Sequence, residues 1–332
     1  MSDIDSKPSQ EMRAKRHQPP VPNSVSEQAQ RVLSVPVNIE VPQYPDRTDT
    51  EAWEAYVEAA DAGVRSYYEA GMPPAETFTV TANDVDGVAN YVIRPNHVED
   101  GSNSPIFIEV HGGGLFLGGG ELAWMAAIPN AVGRNGITWA PDYRMPPRHP
   151  YPAALDDLLH VYRAALDLVG PEKVIVSGAS GGGNLSAAFL VRAKDEGLPM
   201  PAALVLLTPE VDLTESGDTF ATNDGIDWML TSLMPVNLLY ANGEELTHPY
   251  LSPLFADLTG FPPTFLQTGT RDLYLSNTVR MHRALLQAGV EAELHVFEAM
   301  AHGGFGGTSP EDEELRAEAR RFESVHLARA AV

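Results

Sequence analysis

The chain has 332 residues, and none of them is cysteine. Disulfide bonds, thiolate nucleophiles and cysteine-ligated metal centres are therefore excluded. The sequence contains no run of about 18 apolar residues, the length that a transmembrane helix needs. The polar N-terminus also lacks the apolar core of a signal peptide. Together these absences predict a soluble, cytoplasmic protein without a membrane span.

Basic residues are scarce, with 22 Lys and Arg against 45 Asp and Glu, which gives a formal net charge of −23. A surface of this sign repels nucleic-acid phosphates and anionic lipid headgroups, so we expect neither nucleic-acid nor membrane binding. Metal binding is not expected either, because Asp212, Asp224 and Asp227 are scattered in a way that matches no metal-binding loop.

The order of the apolar runs predicts the fold class. Hydrophobic residues make up 43% of the chain and charged residues 20%, so a folded globular protein is expected. Short apolar runs alternate with helical patterns, which is typical of an α/β fold with a mostly parallel central sheet flanked by helices. After a hairpin that turns at Asp84-Val85-Asp86-Gly87, the predicted strands span residues 106–110, 136–143, 174–178, 203–208, 264–269 and 293–298.

Two segments interrupt this alternation and are predicted to form a helical cap. Residues 1–75 are the N-terminal cap segment, and its first ~23 residues are polar enough to be disordered or loosely attached. Residues 209–240 belong to a connection that is too long for a loop and too apolar for a linker, so they are predicted as an inserted cap segment. Residues 76–208 and 241–332 then form the α/β domain.

The N-terminal cap segment carries two helical patterns. Ser24-Val-Ser-Glu27 has the spacing of a capping box, which predicts a short helix that ends near Leu33. Between Thr50 and Gly71, aromatic and aliphatic residues recur at helical intervals, and Pro73-Pro74 follows the predicted end.

One serine stands among glycines between a predicted strand and a predicted helix, in Gly178-Ala179-Ser180-Gly181-Gly182. A G-x-S-x-G turn between strand and helix is a nucleophile elbow, in which small neighbours leave the serine exposed at the end of the strand. A phosphate- or dinucleotide-binding turn is the alternative. It is disfavoured because Ser180 occupies the second glycine position of G-x-G-x-x-G and no P-loop Lys-Ser/Thr pair is present. Ser180 is therefore the predicted nucleophile.

The stretch His111-Gly112-Gly113-Gly114 directly follows the predicted strand 106–110. Consecutive glycines at the carboxyl end of a strand can point N–H groups into the crevice above an open α/β sheet. An HGGG loop and the N–H after the nucleophile form the oxyanion hole of lipases and esterases. The predicted donors are therefore Gly113, Gly114 and Gly181, although a merely flexible loop remains an alternative.

A base for this serine is expected downstream, because triads of this fold follow the order serine, acid, histidine. His302 lies in a glycine-bearing loop after the last predicted strand, at the edge where the serine stands. His282, His295 and His326 fall within helix or strand patterns, where packing or exposure is the better interpretation. His302 is the predicted base.

The acid should leave the end of the preceding strand. Asp272 lies three residues beyond Gly269, where the predicted strand 264–269 ends, and it could orient a histidine and stabilise the imidazolium. Glu298 is the rival, but it precedes the loop of His302 and would have to reach across it. Asp272 is the preferred acid.

Taken together, these stretches resemble the hormone-sensitive lipase (HSL) family of bacterial α/β-hydrolase carboxylesterases, from about Tyr91 to Ala330. The stretches that carry the resemblance are HGGG (111–114), PDYRMPPRHPYPAALDD (141–157), GASGGGN (178–184) and SPLFADLTGFPPTFLQTGTRD (252–272). The resemblance implies an α/β-hydrolase fold with a helical cap. It also implies cofactor-free hydrolysis of short- to medium-chain carboxylic esters through an acyl-enzyme, with the family's acid and base at Asp272 and His302.

The elbow departs from the family's usual G-D-S-A-G-G-N at two positions. Ala179 stands where the family carries aspartate, and Gly181 stands where it carries alanine. The lost carboxylate changes the charge beside the serine, while Gly181 still supplies its N–H. We therefore expect an altered pH profile with retained activity.

The resemblance leaves the substrate open. Candidates for a substrate pocket are Phe116, Trp228, Met229, Leu233 and Tyr240, and for each of them packing of the cap against the sheet is an equally good interpretation. A lactonase or amide hydrolase with the same triad is an alternative to an esterase acting on small-molecule esters. A non-catalytic small-molecule receptor on the same fold is disfavoured because all three triad members are present. A homodimer is compatible with the sequence.

Overall fold

A single eight-stranded sheet organises the computed structural model, which describes residues 18–36, 42–99, 101 and 104–329. Its strands are β1 (Phe78–Val85), β2 (Val88–Pro95), β3 (Ile106–Val110), β4 (Ile137–Pro141), β5 (Val174–Ala179), β6 (Ala203–Leu207), β7 (Thr264–Gly269) and β8 (Ala292–Phe297). Their order across the sheet is β1-β2-β4-β3-β5-β6-β7-β8. Only β2 pairs antiparallel, with β1 and with β4, so the predicted α/β-hydrolase fold with a mostly parallel sheet is confirmed.

Two α-helices of the described residues precede β1, and from β3 onward at least one α-helix separates each strand from the next. They are α1 (Glu27–Leu33), α2 (Thr50–Ala70), α3 (Glu121–Ala131), α4 (Ala153–Val169), α5 (Gly181–Asp195), α6 (Thr219–Thr222), α7 (Met234–Ala241), α8 (Leu275–Gln287) and α9 (Pro310–Arg329). In the part of the chain that the structure describes, no helix is both long and apolar enough to cross a membrane.

The central strands are buried on both faces, and their side chains alternate between two cores. In β3, Ile106 and Ile108 point into the larger core, which α4, α5 and α8 cover. Phe107 points to the opposite face and packs in one cluster with Phe322 of α9. Helices on both faces explain why the central strands read as continuous apolar runs.

The first hairpin and the first helix differ slightly from the predicted boundaries. Asp84 and Val85 remain in β1, so the turn consists of Asp86 and Gly87 alone. The predicted capping box is wrong, because the cap of α1 is Ser26, whose Oγ accepts the N–H of Ala29 at 3.1 Å.

The cap of α1 lies at Ser26 because Ser26 pairs with a residue near the far end of the chain. The N–H and the hydroxyl of Ser26 donate to the carboxylate of Glu311 at 2.6 and 2.7 Å. Glu311, in the first turn of α9, thus takes the role that a glutamate three residues after the cap plays in a local capping box. A local sequence pattern cannot reveal this pairing, which ties α1 to α9.

The start of the described chain is attached to the loops near the sheet's carboxyl edge. The side-chain amide of Gln18 donates to the carbonyl of Gly225 at 2.5 Å, and Arg271 donates to the carbonyl of Pro20 at 2.9 Å. The prediction of a disordered or loosely attached beginning concerns mainly residues 1–17, which lie outside the described residues.

A buried ion cluster fixes β3 against α9. Arg134, between α3 and β4, donates to Glu109 of β3 and to Glu323 of α9, each at 2.7 Å, and all three side chains are buried. Burial disfavours the charged guanidinium, but the two carboxylates outweigh it and raise the pKa of Arg134 further above its ordinary value. The cluster anchors the strand that leads into the HGGG loop.

We expect Arg134→Met to lower the free energy of unfolding by about 3–5 kcal/mol, because it leaves two carboxylates buried without a counter-charge. Urea denaturation of both proteins measures the difference. Arg65→Met is the matched control, since its ion pair with Glu121 is largely exposed and should contribute at most about 1 kcal/mol. Equal losses in the two variants would contradict the role given to the buried cluster.

Candidate active site

Four strands deliver the candidate residues to one edge of the sheet. The HGGG loop follows β3, Ser180 follows β5, Asp272 follows β7 and His302 follows β8. Because these strands run parallel, their carboxyl ends lie at the same edge. The structure thus brings together the residues that the sequence predicted as nucleophile, acid, base and oxyanion donors.

Ser180 occupies a strained backbone conformation between β5 and α5, with φ +57° and ψ −124°. Such a conformation costs about 1–3 kcal/mol and persists only where the surroundings impose it. Here the N–H of Ser180 donates to the carbonyl of Leu207 at 2.9 Å, and its own carbonyl accepts from Asn184 and Glu210, each at 3.2 Å. These bonds hold the serine at the tip of the turn.

Two glycines make this turn sterically feasible. A Cβ atom added at Gly178 would lie 2.3 Å from the carbonyl oxygen of Gly182. A Cβ atom added at Gly182 would lie 2.1 Å from the carbonyl oxygen of Val110, at the end of β3. The elbow therefore requires glycine at both outer positions of G-x-S-x-G.

Asp272 and His302 form a buried pair. Their Oδ1 and Nδ1 atoms are 3.2 Å apart, and both side chains are buried. Asp272 also accepts the hydroxyl of Thr268 at 2.6 Å and the N–H of Tyr274 at 2.9 Å. A carboxylate that accepts these bonds assigns the proton of a neutral His302 ring to Nδ1, which leaves Nε2 as the proton acceptor.

Among the described residues, Ser180 Oγ forms no hydrogen bond, so its contact with His302 is open in this structure. Hydrogen bonds between nucleophile and base are often long without substrate and tighten when it binds. His302, oriented by Asp272, and the strained Ser180 stand at the same edge of the sheet.

Several groups act on the charge of His302. Burial disfavours the imidazolium, but the hydrogen bond and charge of Asp272, with a smaller contribution from the charge of Asp227, outweigh it. The pKa of His302 is therefore raised above its ordinary value. The ring of Tyr274 packs edge-on against the imidazole, with centroids 5.1 Å apart.

The HGGG loop adopts backbone conformations that need glycine. Gly113 has φ +116° and Gly114 has φ +58°, and a Cβ at Gly113 would lie 2.3 Å from the carbonyl oxygen of Leu117. A Cβ at Gly181 would lie 2.9 Å from the nitrogen of Leu115 and 3.3 Å from that of Gly114. The loop's nitrogens thus stand beside the first turn of α5.

These nitrogens have hydrogens to donate. Within the described chain, the N–H groups of Gly113, Gly114 and Gly181 donate to no protein acceptor. The N–H of Gly181 also stands at the positive end of α5, and helix N-termini favour anions. Three unpaired donors at the end of a helix can accommodate a developing oxyanion.

His111 itself supports the loop. Its ring stacks on Tyr143, with centroids 4.2 Å apart, and Nδ1 lies 2.8 Å from the carbonyl oxygen of Gly112. The hydroxyl of Tyr143 donates to the backbone carbonyl of His111 at 2.7 Å. Burial lowers the pKa of His111 to about 4, so the ring is neutral near physiological pH and orients the loop without titrating.

Two of the predicted pocket residues flank the HGGG loop. A Cβ at Gly114 would lie 3.2 Å from Leu233 Cδ1 and 3.3 Å from Phe116 Cε1. Both side chains pack in one cluster with Trp53 of α2, so the two predicted cap segments meet directly above the loop. These contacts favour Phe116 and Leu233 as walls of a pocket.

The other three candidates are placed differently. Met229 stands beside the base, since a Cβ at Gly303 would lie 2.7 Å from its Cε. Trp228 is half-buried, and its Nε1 is buried without a partner among the described residues. Tyr240 packs in the large core and faces Tyr151 at 6.2 Å, so the structure assigns it to packing.

Two buried carboxyl groups near His302 have roles that the sequence does not predict. The N–H of Glu210, the third residue after β6, donates to the carbonyl of Ser180, and burial, assisted by the charge of Glu215, raises the pKa of Glu210 to about 8. Asp227 was considered only as a metal ligand, yet it contacts the loops of both Asp272 and His302. The one sequence signal for Glu210 as a site residue is its position shortly after the carboxyl end of the predicted strand 203–208.

Comparison with known proteins gives consistent matches. A family model described as alpha/beta hydrolase fold matches residues 107–305. The carboxylesterase NlhH of Mycobacterium tuberculosis is 36% identical over 235 residues, which are 66% of this chain and 72% of that protein. An esterase of Acinetobacter venetianus is 30% identical over 229 residues, or 67% of this chain and 75% of that protein.

Solved structures agree with these matches. The crystal structure of another esterase superposes with a TM-score of 0.83 at 36% identity and covers 93% of this chain and 96% of that one. The HSL homologue EstE7, from a metagenome library, superposes with a TM-score of 0.75 at 30% identity and covers 86% of this chain and all 100% of its own.

We expect Gly113→Ala to lower kcat by roughly tenfold to a thousandfold, because Gly113 has a positive φ and the added Cβ would meet the carbonyl oxygen of Leu117 at 2.3 Å, which displaces the HGGG nitrogens. Steady-state kinetics with a chromogenic ester measure the loss, and KM should change little.

The matched control is Gly63→Ala in α2, where an added Cβ meets nothing within 4 Å. It should leave kcat unchanged. A Gly113→Ala variant with the kcat of the original protein would show that the backbone conformation of this loop is not needed for the reaction.

Proposed function

The chain belongs to the α/β-hydrolase family, with HSL-like esterases as its relatives, and on this premise we propose that it is a serine carboxylesterase for short- to medium-chain carboxylic esters. The observation that carries the proposal is the buried Asp272–His302 pair at the sheet edge where the strained Ser180 stands. The sequence-based resemblance to the HSL family is confirmed by the same relatives.

In the first half of the proposed reaction, Ser180 Oγ attacks the ester carbonyl carbon while Nε2 of His302 takes the hydroxyl proton. The carbonyl oxygen becomes an oxyanion, which accepts hydrogen bonds from Gly113, Gly114 and Gly181. When the C–O bond to the alcohol breaks, His302 gives its proton to the leaving oxygen. The acyl group remains on Ser180.

In the second half, water replaces the alcohol. His302 takes a proton from the water, whose oxygen attacks the acyl carbon, and the same N–H groups hold the second oxyanion. His302 then returns the proton to Ser180 Oγ as the acid leaves. Asp272 orients His302 throughout through its hydrogen bond to Nδ1, and the bonds it accepts from Thr268 and Tyr274 hold its carboxylate in place.

The cap supports a limit on substrate size. Phe116 and Leu233 stand within contact distance of Gly114, and the aromatic rings of Tyr44, Trp53 and Tyr56 pack behind Phe116. An apolar wall this close to the proposed oxyanion hole favours short and medium acyl chains. Lactone or amide hydrolysis uses the same groups and remains the second candidate, while the relatives' names favour esters.

Removing the nucleophile should abolish turnover. We expect Ser180→Ala to lower kcat for p-nitrophenyl esters by roughly 10⁴-fold or more, since the triad acts as a unit. Esters of increasing acyl length and a series of lactones, assayed with the unchanged protein, identify the preferred substrate class. Ser177→Ala is the matched control, because Ser177 Oγ is buried in β5 with no partner among the described residues. Full activity of Ser180→Ala would exclude this mechanism.

The pH profile should report the base. His302 must be neutral to accept a proton, and its pKa is raised above the ordinary value of 6.5. We therefore expect kcat/KM to fall as pH decreases, with a midpoint above 6.5. A midpoint clearly below that value, measured with a neutral ester, would contradict the electrostatic environment described for His302.

A further inference from the structure

A single carboxylate outside the proposed triad holds its acid and base loops together. Asp227 lies between α6 and α7, within the predicted inserted cap segment, and it is fully buried. One of its oxygens, Oδ2, accepts the N–H of Leu273 at 2.8 Å and the N–H of His302 at 3.2 Å. Leu273 directly follows Asp272, so this oxygen binds the main chain of both triad loops.

The other oxygen of Asp227 binds the main chain of the residues that follow it. Oδ1 accepts the N–H groups of Met229 at 2.9 Å and Leu230 at 3.2 Å. Burial raises the pKa of Asp227 from its ordinary value, and the charge of His302 opposes this. Four N–H donors, however, fill the acceptor sites of a carboxylate and leave no place for a proton, so the group is held ionised.

We propose that Asp227 is a positioning residue, which holds the loops of Asp272 and His302 in register through the main-chain N–H groups of Leu273 and His302. The inference rests on the proposed function, because it gives the inserted segment a part in the triad. Asp227 makes no hydrogen bond to the reacting side chains of Asp272 or His302, so it acts through their backbones and its charge.

The charges that face His302 come from three elements. Asp272 lies in the loop after β7, Asp227 in the inserted segment and Glu210 shortly after β6, while Tyr274 contributes the packed ring. The pKa of Glu210 is raised to about 8, so this carboxyl group is neutral below that pH and adds no negative charge beside the His302 ring. Asp272 and Asp227 are then the two charges that stabilise the imidazolium.

The test compares Asp227→Asn with the unchanged protein. An asparagine keeps one acceptor oxygen but turns an NH₂ group toward N–H donors and removes the charge. We expect kcat to fall roughly tenfold to a hundredfold through misplacement of the triad, with KM within about twofold. The acidic midpoint of kcat/KM should shift to lower pH, because the imidazolium loses a neighbouring negative charge.

Asp212→Asn is the matched control. Asp212 is a fully buried carboxylate of the same predicted segment, and it binds Thr214, Ser216 and Arg280 but neither triad loop. Its loss should lower stability without shifting the acidic midpoint. An unchanged midpoint in Asp227→Asn, or an equal shift in Asp212→Asn, would overturn the proposal.

An NMR titration of ¹³C-labelled His302 separates this proposal from the proposed function, since it needs no turnover. A lower pKa of His302 in Asp227→Asn supports the positioning role even if no ester is hydrolysed, and an unchanged pKa overturns it even if esters are hydrolysed. If Asp227→Asn does not fold, Asp227→Glu keeps the charge and displaces it. Asp227→Glu should retain the midpoint with a reduced kcat, and an undiminished kcat would overturn the proposal.

Discussion

The site depends on one close approach of backbone to backbone, where the chain leaving β3 crosses the turn between β5 and α5. At Gly182 a Cβ would lie 2.1 Å from the carbonyl of Val110, and at Gly112 a Cβ would lie 3.0 Å from the carbonyl of Ala179. The distance at Gly182 requires glycine, and the distance at Gly112 leaves little room for a side chain. The crossing places the HGGG nitrogens beside the first turn of α5, next to the turn that holds Ser180 at a positive φ, so the proposed nucleophile and the proposed oxyanion donors depend on the same close approach.

The second constraint is electrostatic and acts on the base. His302 is buried, which alone would favour its neutral form, yet carboxyl groups from three connections surround it. The Asp272 carboxylate accepts bonds from its own loop, and Asp227 accepts main-chain bonds from both loops. A negative charge that is held in place before the reaction needs no reorganisation when the imidazolium forms. Asp227, from the predicted inserted segment, is the second of these carboxylates.

Strand positions and strand-end residues were predictable from the sequence because each depends on a local pattern. Strand β7 begins and ends where its apolar run does, and the residues assigned to nucleophile, acid and base all follow strands that meet at one edge. The roles of Ser180, Asp272 and His302 stay predictions until they are measured. The cap of α1 was misplaced because its completing carboxylate, Glu311, lies 285 residues away.

The contacts of Asp227 and Tyr240 could not be predicted from the sequence, because each contacts residues far along the chain. No sequence pattern predicts the role of Asp227, because its partners are backbone N–H groups of distant loops. Every residue except proline has such a donor, so the residue type of the partner carries no signal. Tyr240 looked like a pocket residue because it is aromatic and lies in the inserted segment, but it packs into the main core. Side-chain type and segment together do not determine which way a residue faces.

The most direct test of the central claim is covalent capture of the nucleophile. The protein is treated with a p-nitrophenyl alkylphosphonate ester, whose phosphorus is attacked by an activated serine with release of p-nitrophenol, and the adduct is located by peptide mass spectrometry. The account predicts one phosphonyl group per chain, on Ser180, with loss of esterase activity in proportion to labelling. Stoichiometric labelling of another residue, or full labelling with undiminished ester hydrolysis, would contradict it.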